Sequence, residues 1–310
     1  MAEYENLTTL EGLQVGDTVK YTATSQASFD KWNLDTKKYK FNIVMNGGNT
    51  DSSRSPVLGG KTIADIDCKN ISNITLYFYS MSPGLAYGTY TTYADLLNYR
   101  LLVAGAAGRY TGNGFNHTYT ATGGGINGTA ATGDYVNGGG GSQTSGGSAT
   151  KSGKFDSALA NNGRFGYGAS GSFNLAGRYT GSVYGGAGWY GGGASIDGSG
   201  VNSQPNGAAG GGSGFIIGKT TTTYPSGYLG DNTALQSSLA SAISNASTTE
   251  AGSADENTII LTILALPGTD IGNSIKYYTN GAWKDATMKV YTNGVWKSAS
   301  PKVYKESSWK

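Results

Sequence analysis

The chain has 310 residues, 22 Lys and Arg against 20 Asp and Glu, and only 14% charged residues. A net charge of +2 leaves no electrostatic footprint for nucleic acid or an anionic membrane. The single cysteine, Cys68, excludes a disulfide framework and a Cys-based metal site within one chain.

The N-terminus, Met1-Ala2-Glu3-Tyr4-Glu5-Asn6, has neither a basic nor an apolar stretch, so no signal peptide is expected. Nothing approaches the roughly 18 apolar residues of a membrane span, so no membrane insertion is expected either. Residues 10–104 alternate as strands do: Thr18 to Thr24, Tyr39 to Met45, Thr62 to Asp67, and Asn73 to Ser80 with Ile74, Leu76 and Phe78 on one face. Gly47-Gly48, Gly59-Gly60 and Ser82-Pro83-Gly84 punctuate them as turns. Thr92 to Tyr99 has room for one helical turn. Arg100-Leu101-Leu102-Val103-Ala104 fits a buried central strand.

Residues 105–214 hold 35 of the 51 glycines, with only seven Leu, Ile or Val and eight charged residues. Such a stretch is not expected to build a side-chain core. On composition alone it also fits a disordered linker. Against that, glycine runs recur between short polar or aromatic connectors, and twelve aromatic residues are too many for a solvating tether. The competing expectation is a bundle of extended polyglycine helices. Such helices make no internal hydrogen bonds, so their N–H and C=O groups must find partners on neighbouring helices. The glycines would then be the core and the connectors surface loops.

Beyond it, Gly214 to Gly218 resumes the sheet, and Thr221 to Gly230 is a loop. Residues 233–247 carry a weak helical period, and Asn257 to Leu264 is the strongest strand in the chain. Pro267-Gly268 marks a boundary. The last 38 residues, 273–310, are a repeat of period 13, with Tyr278, Tyr291 and Tyr304 followed by Trp283, Trp296 and Trp309. Asn-Gly in Tyr-Thr-Asn-Gly-x-Trp-Lys is a strong hairpin signal. The expectation is a small β-meander that packs on a neighbour and serves attachment or assembly.

Taken in order, several of these motifs resemble one known family. They are Leu13 to Tyr21, Tyr39-Lys40-Phe41 leading to Gly47-Gly48, Gly59-Gly60-Lys61, Leu76 to Tyr79, and Arg100 to Gly105. They continue with Gly139 to Gly147, Gly188-Trp189-Tyr190-Gly191-Gly192-Gly193, Gly211 to Phe215 and Tyr224-Pro225-Ser226-Gly227-Tyr228. The family is the glycine-rich domain of bacterial and phage proteins, shared distantly with the anaplastic lymphoma kinase ectodomain. The resemblance implies an all-β fold: a TNF-like jelly-roll β-sandwich, residues 1–104 plus 215–267, with an inserted polyglycine-helix bundle, residues 105–214. It also implies a place in a phage virion, as a tail-fibre adhesin. The Trp repeats look like the C-terminal ends of phage structural proteins from Gram-positive hosts. This chain departs from the family in lacking a glycine patch at Leu85 to Asn98.

No catalytic chemistry is legible, and an enzyme is not expected. Two G-x-G-x-x-G matches, Gly166 to Gly171 and Gly186 to Gly191, lack the strand-to-helix context of dinucleotide binding. Gly60-Lys61-Thr62 lacks the upstream glycine of a phosphate loop, and Lys61 reads as a solvated turn residue. His117 is the only histidine, and no G-x-S-x-G occurs. Asp65 and Asp67 share a strand face but have no third acidic neighbour, so no metal is expected. No cofactor is expected.

For an adhesin, the ligand-binding candidates are Tyr110, Phe115, His117, Tyr119, Tyr135, Trp189 and Tyr190, since rings amid polar groups hold sugars. The bland reading of the same rings is that they cap the glycine bundle and seal its ends. Trp283, Trp296, Trp309, Tyr278, Tyr291 and Tyr304 are the assembly candidates. The expected partners are other virion proteins, a host cell-surface glycan or protein, and further copies in a homotrimer. Competing readings are a non-adhesive head or tail decoration and, more remotely, a carbohydrate-active enzyme.

Overall fold

The computed structural model describes residues 1–24, 29–36, 39–48, 57–112, 114–175, 179–198, 204–221, 223–250 and 257–267, and six short strands beyond them. The fold is all-β. The chain divides into two units, Met1–Leu266 and Pro267–Lys310.

Two antiparallel sheets dominate the first unit. One runs Thr18–Thr22, Thr258–Ala265, Lys40–Asn46, Lys61–Asp67 and Ile243–Thr249, with Glu3–Glu5 added in parallel at its edge. The other runs Phe215–Ile216, Arg100–Val103, Ser82–Tyr87, Asn73–Tyr79 and Phe29–Asp35. Alternation along each strand sends Phe41, Ile43 and Met45 from the first sheet and Ile74, Leu76 and Phe78 from the second into one shared core. All four residues of Arg100–Val103 are buried.

Three local expectations are corrected. Ser82-Pro83-Gly84 is not a turn but the start of a strand. The turn lies at Ser80-Met81, both with positive φ. Gly84 is required because a Cβ there would enter the ring of Tyr77. The helical period ends early, with a helix over Thr233–Ser241 capped by Asn232, whose side chain accepts from Leu235 N at 3.0 Å. Residues 243–249, rich in Ser, Thr and Asn, form an edge strand on Lys61–Asp67 instead. Lys61 belongs to that second strand, opposite Asn46, rather than to a turn.

Residues 105–214 contain no α-helix or 3-10 helix among the described residues. Their glycine runs lie against one another and exchange backbone hydrogen bonds. In the run 210–212, Gly210 donates to Gly193 O, Gly211 to Thr129 O and Gly212 to Ala106 O, at 2.9–3.0 Å. In the run 191–193, the three acceptors are Arg164 O, Gly186 O and Gly139 O. Successive amides thus point to three different segments, whereas a strand alternates between two neighbours in one plane. The spacing leaves no room for side chains: a Cβ on Gly192 would stand on the carbonyl of Gly210, and one on Gly211 on that of Thr122. Gly47, Gly60 and Gly105 continue the network, since Gly47 donates to Gly60 O and Gly60 to Gly105 O, both at 2.8 Å.

The connectors are not bare loops. Ser170–Leu175 and Tyr179–Tyr184 form a hairpin extended by Arg109–Gly112, and other connectors add a four-stranded and a three-stranded sheet. The expectation of no side-chain core also fails. Phe115, Phe155, Phe173, Val183 and Ile196 bury one another in a cluster of their own, and Ala121, Ala131, Val136 and Ala208 form a smaller one. Few apolar residues suffice because the aromatic ones converge from separate connectors.

In the second unit, Ser274–Thr279 pairs with Ala282–Thr287, Lys289–Thr292 with Val295–Ser298, and Tyr304–Lys305 with Ser308–Trp309. Each pair is its own two-stranded sheet, and no ladder joins one to the next among the described residues, so this is not a meander. The 13-residue unit closes its ladder within itself. The register is the same in all three, with Tyr278 opposite Trp283, Tyr291 opposite Trp296 and Tyr304 opposite Trp309. The Asn280-Gly281 and Asn293-Gly294 turns lie outside the described residues.

Candidate functional site

A cleft of about 260 Å³ opens where the Ser80-Met81 turn, the connector hairpin and two glycine segments meet. Its polar and aromatic side chains are Tyr79, Ser80, Arg109, Tyr167, Ser170 and Tyr184, with Ala107, Ala169 and the backbone of Gly168, Gly185 and Gly186 completing the lining. Strand register explains one wall. Ser170 and Arg109 both pair with Tyr184 from opposite sides, so the three stand in one row across the sheet. The Arg109 guanidinium consequently lies over the Tyr184 ring, 4.6 Å from its centroid.

The facing wall is fixed by a tight turn. Arg164 and Tyr167 exchange backbone hydrogen bonds of 2.9 and 3.0 Å around Phe165-Gly166, and Gly166 has φ +80°. The Tyr93 hydroxyl donates to Gly166 O at 2.8 Å. Tyr167 meets Tyr79 and Tyr93 edge-on at 5.4 Å, while Tyr79 stacks on Tyr93 at 3.7 Å. The Arg164 guanidinium lies over the Tyr167 ring, 4.5 Å from its centroid. The rings are therefore immobilised by their neighbours.

Burial lowers the Arg109 pKa against the opposing pull of Tyr184, yet arginine stays charged at neutral pH. Burial raises that of Tyr79, which stays protonated. None of the described residues lining the cleft is acidic. The cleft thus joins tyrosine rings, the Arg109 guanidinium and two serine hydroxyls.

The sequence-derived candidates are not gathered into one patch. Trp189 is fully buried in the main core, stacked on Phe215 at 3.7 Å with its indole N–H donating to Gln143 O, so it does not present itself to a ligand. Tyr190 packs beside it. Phe115 belongs to the connector core with Tyr110 against it, which removes Phe115 as a surface ring too. His117 is exposed, next to Tyr119, which packs on the small alanine cluster. Tyr135 is half-buried under the Lys154 ammonium at 4.6 Å. Asp65 accepts from Asn42 and Asn245, the Asn42 bond chiefly holding its pKa down, and Asp67 caps the short helix Cys68–Asn70.

Tyr79, Arg109, Tyr167 and Tyr184 were not legible as a site because more than a hundred residues of chain separate the first from the last. The available signal was arginine itself, since Arg109 and Arg164 stand out in a stretch nearly free of charge. Among the described residues no group of His, Cys, Asp or Glu could hold a metal, and no helix is long and apolar enough to cross a membrane. Neither a family model, nor a curated protein, nor a solved structure matches the chain.

Proposed function

We propose that this chain is a phage virion protein, a tail-fibre or receptor-binding adhesin. In this reading the two large sheets are a TNF-like jelly-roll sandwich, and residues 105–214 are an inserted bundle of polyglycine helices. The observation that carries it is the direction of the glycine amides. Three consecutive amides bonding to three different segments are what a helix of three residues per turn produces inside a lattice of its own kind. Such a lattice is a rigid platform with no side chains to rearrange, and the connectors leave it carrying His117, Tyr119, Tyr135 and the walls of the arginine cleft. Rigid presentation of small loops serves recognition better than turnover.

The test is retention of the fluorescently labelled full chain on a panel of Gram-positive bacterial cells. Saturable retention on a subset of strains is the expected result, and absence of retention on all of them counts against an adhesin. The decoration reading is favoured by one separate observation, the identical Tyr-opposite-Trp register of three successive hairpins. It predicts co-purification with virion parts through residues 273–310 and no cell retention.

A further inference from the structure

We propose that two copies of the chain pair face to face through the outer surface of the first sheet, about a two-fold axis along the row Ile260, Val44 and Ile63. Register builds that row, since Val44 stands opposite Ile260 on one neighbouring strand and opposite Ile63 on the other. Phe41, Ile43 and Met45 point into the core, so Val44 points the other way, and Ile63 and Ile260 with it. The three β-branched side chains are half-buried, and none packs against a hydrophobic cluster among the described residues. The second sheet differs: on its outer face Tyr77 and Ala86 are covered by Tyr93 and Leu96 of the chain's own helical turn.

Charge names the occupant. Lys61 and Asp65 lie on the same outer face as Ile63, two residues to either side of it. Along the strand they are about 13 Å apart, too far to pair within one chain. A half-turn about the row exchanges its two sides, so Lys61 of each copy comes to face Asp65 of the other, while Val44 and Ile63 meet their own counterparts. Asp65 is held ready, with Oδ1 accepting from Asn42 Nδ2 at 2.7 Å and Oδ2 from Asn245 Nδ2 at 2.8 Å; each oxygen keeps a second lone pair. Lys20, at one end of the row, would meet its own copy, but Glu5 stands beside it in register. The face is thus complementary to itself, which an isologous contact requires and a foreign partner does not.

Size sets the strength. The face spans about 20 Å across the strands and about 20 Å along them, roughly 400 Å² per copy against the roughly 800 Å² of a standard interface. The pair is therefore weak in dilute solution, with a dissociation constant on the order of 100 µM, and distinct from association through residues 273–310. Copies anchored side by side on a particle would meet at an effective concentration of about 1 mM and pair. That use rests on the virion reading; the face does not.

Sedimentation equilibrium of the full chain from about 5 to 500 µM is the direct test. A monomer–dimer equilibrium is expected. Val44→Glu, which sets two carboxylates against each other on the axis, is expected to abolish it at an unchanged melting temperature. Lys61→Glu and Asp65→Lys are each expected to weaken pairing about tenfold, because each turns two attractions into repulsions. Mixed in equal amounts, these two variants are expected to pair with each other as the parent does, since the mixed pair restores opposite charges at both contacts.

A monomer throughout overturns the proposal, and so does a trimer. Association untouched by Val44→Glu, or a mixture that pairs no better than either variant alone, overturns it too. Should Asp65→Lys fail to fold without its Asn42 and Asn245 bonds, dimers unweakened by both Val44→Glu and Lys61→Glu overturn the pairing. A monomer retained on cells leaves the adhesin standing without the pair, and a dimer without cell retention does the reverse.

Discussion

Within the first unit, the two large sheets and the glycine-rich region solve the same problem in opposite ways. In the sheets, backbones pair laterally and the interior is filled by side chains such as Phe41, Ile43, Leu76 and Phe78. In much of the glycine region the interior is backbone, and its cohesion comes from amides that bond to neighbours on several sides. A side-chain core can adjust rotamers around a changed volume, so conservative swaps are tolerated. A backbone lattice has no rotamers to adjust: its spacing is fixed by hydrogen-bond length, and one added carbon meets a carbonyl. The lattice is therefore expected to be the more brittle of the two.

The sharpest test of that contrast is Gly192→Val, whose Cβ would displace the segment of Gly210. We expect a loss of more than about 3 kcal/mol, as in severe overpacking, or a fall in melting temperature of roughly 6–12 °C. Ile43→Val in the side-chain core should cost only about 1 kcal/mol, and Thr132→Val on an exposed connector less than about 0.5 kcal/mol. Equal melting of the three variants would show that the glycine spacing is slack.

The seam between the regions comes next in size. Arg100 is fully buried, its guanidinium 4.3 Å from the Phe165 centroid and 4.7 Å from that of Trp189. It donates to Leu97 O at 2.9 Å on its own side, and to Gly188 O at 2.9 Å and Trp189 O at 3.2 Å across the seam. Arg100→Met keeps most of the volume but strands Leu97 O and Gly188 O and loses both ring contacts, while Trp189 O keeps the Gly166 N–H as donor. A loss of about 3 kcal/mol follows from the unmet acceptors alone. Denaturant unfolding should show whether the two regions then come apart in separate steps; a single transition at the parent midpoint would mean that Arg100 is not the seam.

A smaller effect is confined to the connectors. Burial alone would raise the pKa of Asp197, but its carboxylate accepts from Ser152 Oγ and from the backbone N–H groups of Gly153, Phe155 and Gly198, and these outweigh burial and lower it. With the folded value below the unfolded one, about 3.9, the contribution is complete above the unfolded value. It is lost as pH falls through the lowered folded value. Asp197→Asn should flatten the stability profile in that acid range and leave the profile near neutrality parallel to the parent. An unchanged acid limb would assign the sensitivity to other carboxylates, such as Asp17, which accepts from the Ala2 and Gln14 amides.

The strands of the large sheets were legible because alternation is a local signal, and Tyr39 to Met45 or Asn73 to Ser80 carry it plainly. Where local chemistry was ambiguous, the reading went wrong. Pro83-Gly84 has the composition of a turn, yet Gly84 is small because the Tyr77 ring covers it, a contact that only strand pairing brings about. Trp189 among glycines looks like a presented ring, but glycine neighbours also let an indole sink against Phe215. The connector core and the arginine cleft depend on residues far apart in sequence, and their meeting is set by register across the hairpin, which composition does not encode.

The last test removes the second unit. The edge strand Glu3–Glu5 and the long strand Thr258–Ala265 complete their sheet before Pro267, and Met1–Leu266 contains every core residue named above. Truncation after Gly272 should therefore leave the melting temperature of the first unit unchanged. An isolated two-stranded hairpin is marginally stable in water, so three of them gain most by pairing with another surface. Three units with one register and a Tyr opposite a Trp in each would supply repeated, equivalent contacts to such a surface. Loss of self-association or of virion binding on truncation, followed by light scattering and by co-sedimentation with virion parts, is the expected result. A truncated chain that assembles as well as the parent would move the assembly role into the first unit, and one that unfolds would mean the hairpins stabilise it.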